Sequence, residues 1–234
     1  GEAVTGASWC ALDGHANPLL LTRALLDAGK ARGLRRLTGA GVAAIRPGDA
    51  GYDIEMRDGT ALRSGRVVLA AGLGNAALAG SLGKTFPVRP ERGQILVTRR
   101  LPRFLDLPTT HIRQTEEGSV LLGNSKEDVG IDYGTTVEVG ARIAARAIAS
   151  FPVLGRVPVV RSWGALRVMS PDGFPIYQTW PDLPGLWALV CHSGVTLAAA
   201  HAGPLAAHIE GGEAPAELES FTTGRFDVPT ALAV

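Results

Sequence analysis

The sequence predicts an α/β fold interrupted by an inserted α+β domain with a smaller antiparallel sheet. Three observations predict it. A well-marked helix near the start is followed by a β-rich stretch ending in the apolar run "VVLAA". That run has no alternation and reads as a strand buried on both faces, as in a parallel sheet. After Gly83 the character changes to short strands with polar interruptions and an amphipathic helix, and the α/β pattern then returns. The predicted segments are 1–86, 87–160 and 161–234.

Each element has a local cause. In "NPLLLTRALLDAGKARG", Asn17 suits the N-cap, Pro18 the first turn and Gly33 the left-handed stop. Leu20, Leu21, Ala24, Leu25 and Ala28 fall on one apolar face at helical spacing. "GVAAI", the alternating "YDIEM" and "RVVLAAG" read as strands, with turns at Gly48-Asp49, Gly51 and Asp58-Gly59. "GQILVTRR", "TTHIRQT" and "GSVLLGN" are the short strands of the inserted sheet. "TTVEVGARIAARAIASF" is an amphipathic helix with Val139, Ile143, Ala147 and Ile148 near one face. "RSWGALRV" and "GLWALV" read as further strands, and "GVTLAAAHAGPLAAHIEGG" as a closing helix that Pro204 kinks or splits.

Composition narrows the function classes. The 234 residues are 46% hydrophobic and 19% charged, with a formal net charge of +1. Such a chain has no basic field for nucleic acid and no acidic tail. Cys10 and Cys191 are far apart, so neither a disulfide framework nor a zinc site is expected. A reducing compartment, the cytoplasm, is the expectation. No apolar run approaches the roughly 20 residues that a membrane-spanning helix needs, and no basic-then-apolar signal segment opens the chain. "GEAVTGASW" reads like the middle of a domain, so a fragment is expected.

Three segments could carry chemistry. In "VVLAAGLGNAALAG", Gly72 and Gly74 would let a ligand phosphate or ring approach the backbone. The plain alternative is a tight strand-to-helix turn, and the full G-x-G-x-x-G fingerprint is absent. In "CHSGVTLAAAH", Ser193 can cap a helix whose first turn, Gly194, Val195 and Thr196, offers backbone N–H groups to negative charge. The same residues could simply be a capped helix with an alanine-rich packing face, and His192 reads as a surface or core histidine. In "SWGALRVMSPDGFP", Arg167 sits among apolar and turn-forming residues. A guanidinium cannot be deprotonated inside a protein, so it needs an anion. Either a nearby carboxylate such as Asp172 supplies it, or a substrate carboxylate does, held bidentately.

Taken in order, "DGHANPLLLTRALLDAGKARG", "RVVLAAGLGNAALAG", "PVRPERGQILVT", "GSVLLGNSKEDVGID", "WGALRVMSPDGFPI", "GLWALVCHSGVTLAAAHAG" and "FTTGRF" resemble the C-terminal two-thirds of the FAD-dependent D-amino-acid-oxidase-like family, of glycine oxidase and sarcosine oxidase type. "CHSGVTLAAAHAG" is most similar to the catalytic subunits of opine oxidase, hydrogen cyanide synthase and D-hydroxyproline dehydrogenase. The resemblance implies a partial FAD-binding Rossmann-like domain (1–86 and 161–234) interrupted by a substrate-binding domain (87–160).

It also implies roles. Arg167 stands where the glycine-oxidase branch binds the amino-acid carboxylate, and His111 falls near a substrate-contacting tyrosine of that branch. Val42 matches a strand whose backbone meets adenine. Ala71 and Gly72 match the turn near the FAD pyrophosphate and ribityl chain. Gly194, Val195 and Thr196 match the helix start beneath the isoalloxazine. Ala165 stands near a cysteine that holds flavin covalently in monomeric sarcosine oxidases, so non-covalent FAD is expected. No side chain is assigned as a catalytic acid or base. The implied reaction is oxidation of the C–N bond of an amino or imino acid, with partner subunits of a multi-subunit dehydrogenase and, through them, a place at the inner membrane. The family's glycine-rich opening unit and its ribose-binding acid are absent here, so these residues alone are expected not to hold FAD tightly. Two other readings stand beside this one: a non-catalytic or assembly subunit, and a flavin oxidoreductase acting on a hydroxy acid.

Overall fold

The computed structural model describes residues 1–2 and 4–227. In chain order its elements begin with α1 (Pro18–Ala31), β1 (Val42–Gly48), β2 (Gly51–Met56), β3 (Ala61–Ser64), β4 (Val67–Leu69) and α2 (Gly74–Gly80). Then come β5 (Arg89–Thr98), β6 (Ile112–Gln114), β7 (Val120–Leu122), α3 (Val137–Ser150) and β8 (Val159–Met169). The last are β9 (Ile176–Thr179), β10 (Leu186–Val190), α4 (Ala198–Ala200) and α5 (Ala206–Ile209). The predicted mixed α/β class is the one observed. The chain forms two compact units, one of Gly1–Thr22 and Pro90–Arg167, the other of Arg23–Arg89 and the described residues from Val168 onward.

In the first unit, a four-stranded sheet of order β6-β7-β5-β8 carries α3 on one face. Along β5, Gln94, Leu96 and Thr98 are buried and alternate with half-buried Ile95 and Val97. The period-2 pattern thus turns one side of the strand toward the helix. Val139, Ile143 and Ala147 of α3 pack there with Leu96, Ile112, Val120 and Leu122. Ile148, expected on the same helix face, is 40% exposed, because its position turns it off the packed stripe.

The second unit holds the antiparallel sheet β1-β2-β3 and a sheet of order β4-β10-β9, in which β4 and β10 run parallel and β9 antiparallel. Ile45 and Tyr52 of the first sheet pack with Leu69, Ile176, Leu186, Ala188 and Val190 of the second, together with Ala79 of α2. The parallel character expected of "VVLAA" is present, but burial on both faces is not. Leu69 is 3% exposed while Val68 is 39% exposed, so only one face of β4 is covered in the described structure.

Asn17 caps α1 as expected, its Oδ1 accepting from the N–H groups of Leu19 and Leu20. Gly33, at φ +91°, closes the helix with Gly33 N–H to Lys30 C=O and Leu34 N–H to Gly29 C=O, the paired bonds of a Schellman stop. The apolar face behaves differently from its sequence: Leu20 and Leu25 are 68% and 60% exposed, and no α1 residue is buried. Capping marks both ends of this helix, and its apolar face lies uncovered among the described residues. Pro204 splits the closing helix as predicted. A π-helical turn, His201–Leu205, separates α4 from α5, since proline removes a donor from the regular ladder. Among the described residues, no helix is long and apolar enough to cross a membrane.

Candidate functional site

In the second unit, parallel pairing of Leu69 with Ala188 sets the carboxyl ends of β4 and β10 side by side. Ligands in open α/β sheets bind outside such ends. The chain leaves β4 through Ala71 and Gly72 into α2, and leaves β10 through Cys191–Thr196. The expected cofactor residues Ala71, Gly72, Gly194, Val195 and Thr196 thus follow adjacent strands. Val42 stands apart from them, at the start of β1 in the other sheet, where it pairs with Met56.

The residue that ties the two strand ends together is Asn75, which sequence reasoning missed. It is fully buried. Its Oδ1 accepts the Ala71 N–H at 2.8 Å, and its Nδ2 donates to Leu69 C=O at 3.1 Å and Leu189 C=O at 2.9 Å. One amide thereby pins the turn after β4 to the end of β10. Gly72 takes φ +60° in that turn, a conformation that costs other residues about 1–2 kcal/mol. Among the described residues, the N–H groups of Gly72 and Leu73 have no acceptor. Alanine at Asn75 would take the partner from three backbone groups, of which that of Leu69 is buried, and is expected to lower unfolding free energy by about 1–3 kcal/mol. Urea unfolding measures this, and an unchanged midpoint would remove Asn75 from its organising role.

After β10, Leu197 N–H bonds to Ser193 C=O at 3.0 Å and Ala198 N–H to Val195 C=O at 3.3 Å. Gly194, Val195 and Thr196 are exposed in this winding, and their N–H groups have no acceptor among the described residues. Ser193 does not cap with its side chain as expected. Its Oγ pairs with His192 Nδ1 at 3.3 Å, and the turn closes through backbone alone. The two turns therefore present unpaired N–H groups and small residues, the donor set that a phosphate-bearing, flat-ringed group such as FAD requires. Beside them, Tyr177 Oη lies 2.8 Å from His201 Nε2. Burial pushes the His201 imidazole below its ordinary pKa, because it disfavours the charged form.

Asp172 is not the counter-ion of Arg167. It accepts Arg225 Nε at 2.8 Å and Nη2 at 3.0 Å, the Phe174 N–H at 3.0 Å and Ser170 Oγ at 3.1 Å. Arg225, assisted by those donors, holds the Asp172 carboxyl far below the usual carboxylate range.

Arg167 and His111 belong to the first unit. The Arg167 guanidinium lies flat over β5 at Gly93, where a Cβ would come within 2.5 Å of Nη1 and Nη2. Only glycine leaves that space. Nη1 donates to Ser125 C=O at 2.9 Å and stands 3.5 Å from Glu91 Oε1. Nε and Nη2 have no acceptor among the described residues. The side chain is 22% exposed. Gly93 and Ile95 alternate with Gln94 and Leu96, so Arg167 occupies the sheet face opposite α3. His111 adjoins β6, its C=O accepting the Gly123 N–H at 2.8 Å, and its Nδ1 is buried without a partner among the described residues.

A buried polar network underlies Arg167. Glu127 accepts Arg92 Nη2 at 2.7 Å, Gln94 Nε2 at 3.0 Å and Ser125 Oγ at 2.6 Å. Arg92 also pairs with Asp132, and Gln94 Oε1 accepts the Thr136 N–H at 3.0 Å. Burial alone raises the Glu127 pKa, but the bonds from Arg92, Ser125 and Gln94 outweigh it and hold the carboxyl below its ordinary value. This network fixes Ser125, whose C=O orients Arg167. No local pattern announces it, because its partners are some 35 residues apart in sequence.

Comparison with known proteins supplies the family. The family model described as FAD dependent oxidoreductase (DAO) matches residues 1–208. An opine oxidase subunit of Agrobacterium tumefaciens is 38% identical over 99% of this chain and 62% of its own length. Hydrogen cyanide synthase subunit HcnC of Pseudomonas aeruginosa is 30% identical over 100% of this chain and 58% of its own. The chain thus spans about three-fifths of the length of these relatives. Two solved structures share the fold. Glycine oxidase from Geobacillus kaustophilus has TM-score 0.79 at 22% identity, covering 86% of this chain and 56% of that one. L-proline dehydrogenase from P. horikoshii has TM-score 0.83 at 19% identity, covering 91% and 60%. Given the match over residues 1–208 and the shared fold, the chain belongs to the DAO family of FAD-dependent oxidoreductases.

Proposed function

We propose that this chain is part of an FAD-dependent oxidoreductase that oxidises the C–N bond of an amino or imino acid. The observation that carries the reading is Arg167, a partly buried guanidinium with two nitrogens free of acceptors among the described residues. A planar fork of N–H donors in that state suits a carboxylate held bidentately. Relatives named opine oxidase and glycine oxidase, and a fold neighbour named iminodiacetate oxidase, support an amino- or imino-acid substrate.

In this reading the second unit holds FAD non-covalently. Gly72, Gly194, Val195 and Thr196 face it with backbone N–H groups, Ala71 flanks the same turn, and Val42 contributes backbone from β1. FAD supplies the two-electron acceptor for the oxidation. The protein's own part is positioning: Arg167 fixes the carboxylate and so the orientation of the α-carbon. His111, whose Nδ1 is buried without a partner among the described residues, is the second substrate-binding residue of this reading. Residues 87–160 serve the substrate, and partner subunits complete the enzyme, as the names of its two relatives indicate for those proteins.

The test is anaerobic titration of the FAD-loaded protein with glycine, sarcosine, D-alanine, proline and lactate, followed by flavin absorbance. Bleaching by an amino or imino acid is expected. A flavoprotein bleached by lactate alone would be a hydroxy-acid enzyme, and a protein of its relatives' full length that takes up no FAD would overturn the reading.

A further inference from the structure

We propose that Glu91 is the amine-binding carboxylate of the substrate site, so that Glu91 and Arg167 together read an amino-acid zwitterion. The inference rests on the carboxylate reading of Arg167 above and deepens it. Two acids of the first unit make the case by contrast. Glu127 and Glu91 have nearly equal side-chain exposure, 12% and 13%. Glu127 is saturated by donors from Arg92, Gln94 and Ser125. Among the described residues Glu91 has a single polar partner, Arg167 Nη1 at 3.5 Å from Oε1, longer than an ordinary charge-assisted hydrogen bond. Its Oε2 has no donor among the described residues. A largely buried carboxylate left this bare costs free energy until a donor arrives.

The unmet bonds of the pair are complementary. Among the described residues Arg167 offers Nε and Nη2 without acceptors and Glu91 offers Oε2 without a donor, both beside Gly93, over which the guanidinium lies. An α-amino acid carries its nitrogen and carboxyl carbon about 2.5 Å apart, from standard bond lengths and angles. Such a molecule brings a donor to Glu91 and an acceptor to Arg167 at once. A carboxylate without nitrogen satisfies only Arg167 and faces the charge of Glu91. Glu91 therefore acts as a positioning and specificity residue, favouring amino acids over plain and hydroxylated carboxylates.

The experiment compares Glu91→Gln, Glu91→Asp and Arg167→Ala in the FAD-loaded enzyme. It measures KM and kcat for the amino acid that bleaches the flavin fastest, and the inhibition constant of acetate. Losing one charge-assisted hydrogen bond corresponds to about tenfold or more in binding. Glu91→Gln is expected to raise KM about tenfold, with kcat nearly unchanged and acetate inhibition unchanged or stronger. Glu91→Asp should recover part of the loss. An unchanged KM in Glu91→Gln overturns the proposal. So does a parallel rise of KM and the acetate constant, which would make Glu91 only a support for Arg167. Arg167→Ala reports separately: acetate inhibition unaffected there sinks the carboxylate reading itself, whereas lost inhibition with an unaltered Glu91→Gln enzyme refutes Glu91 alone.

Discussion

Alanine in place of Arg167 is expected to lower kcat/KM for the amino-acid substrate by about 10²- to 10³-fold. Truncating one partner of a buried, hydrogen-bonded charge pair costs about 2–5 kcal/mol, and each 1.36 kcal/mol is tenfold in rate. The loss should fall mainly on KM if the pair forms equally in the ground and transition states, and on kcat if it also aligns the α-carbon. Lysine at the same position keeps the charge but not the planar fork, so Arg167→Lys should recover only part of the activity. Steady-state kinetics of the FAD-loaded enzyme decides it. Unchanged kcat/KM in Arg167→Ala would leave the guanidinium as a structural partner of Ser125 and Glu91, and the substrate would be held elsewhere.

The second large effect concerns stability. Arg92→Ala leaves Glu127, 12% exposed, without its cationic partner, and breaking a buried pair from one side costs about 3–5 kcal/mol. Urea unfolding near neutral pH should show that loss. Its pH dependence has a definite sign. The Glu127 carboxyl is held below its ordinary pKa in the folded chain, so its contribution is present above the unfolded value, about 4.3, and fades as pH falls through the folded value. The gap between parent and Arg92→Ala should therefore narrow below about pH 4. A gap of constant size down to strong acid would exclude Glu127 as its source. Replacing both partners by apolar residues of similar volume should restore much of the stability, since the pair's desolvation cost disappears with it. Because the network fixes Ser125, the single variant should also weaken substrate binding through Arg167.

Local signals made much of the fold legible. Asn17 and Gly33 bracket α1, and the 3.6-residue stripe of Val139, Ile143 and Ala147 marks the buried face of α3. Turn residues at Gly48-Asp49 and Asp58-Gly59 separate the first strands. The order of short motifs along the chain carried the family. β3 and β9 were not read, because four-residue strands with mixed composition take their pairing from neighbours, not from a pattern of their own.

For the site, sequence alone determined which residue types sit in which turns: small residues after two apolar strands, and one arginine in an apolar strand. Only the tertiary structure decided their partners. Parallel pairing of β4 with β10 set the two turns side by side and placed Asn75 where it could bond three backbone groups. Strand alternation laid Arg167 across Gly93, beside Glu91 and not Asp172, which Arg225 claims from 53 residues away. The physical reason is range. Caps and periodicity act within a few residues, whereas the charge of Arg167 is answered by groups 42 and 76 residues distant, which only the closed sheet brings within reach.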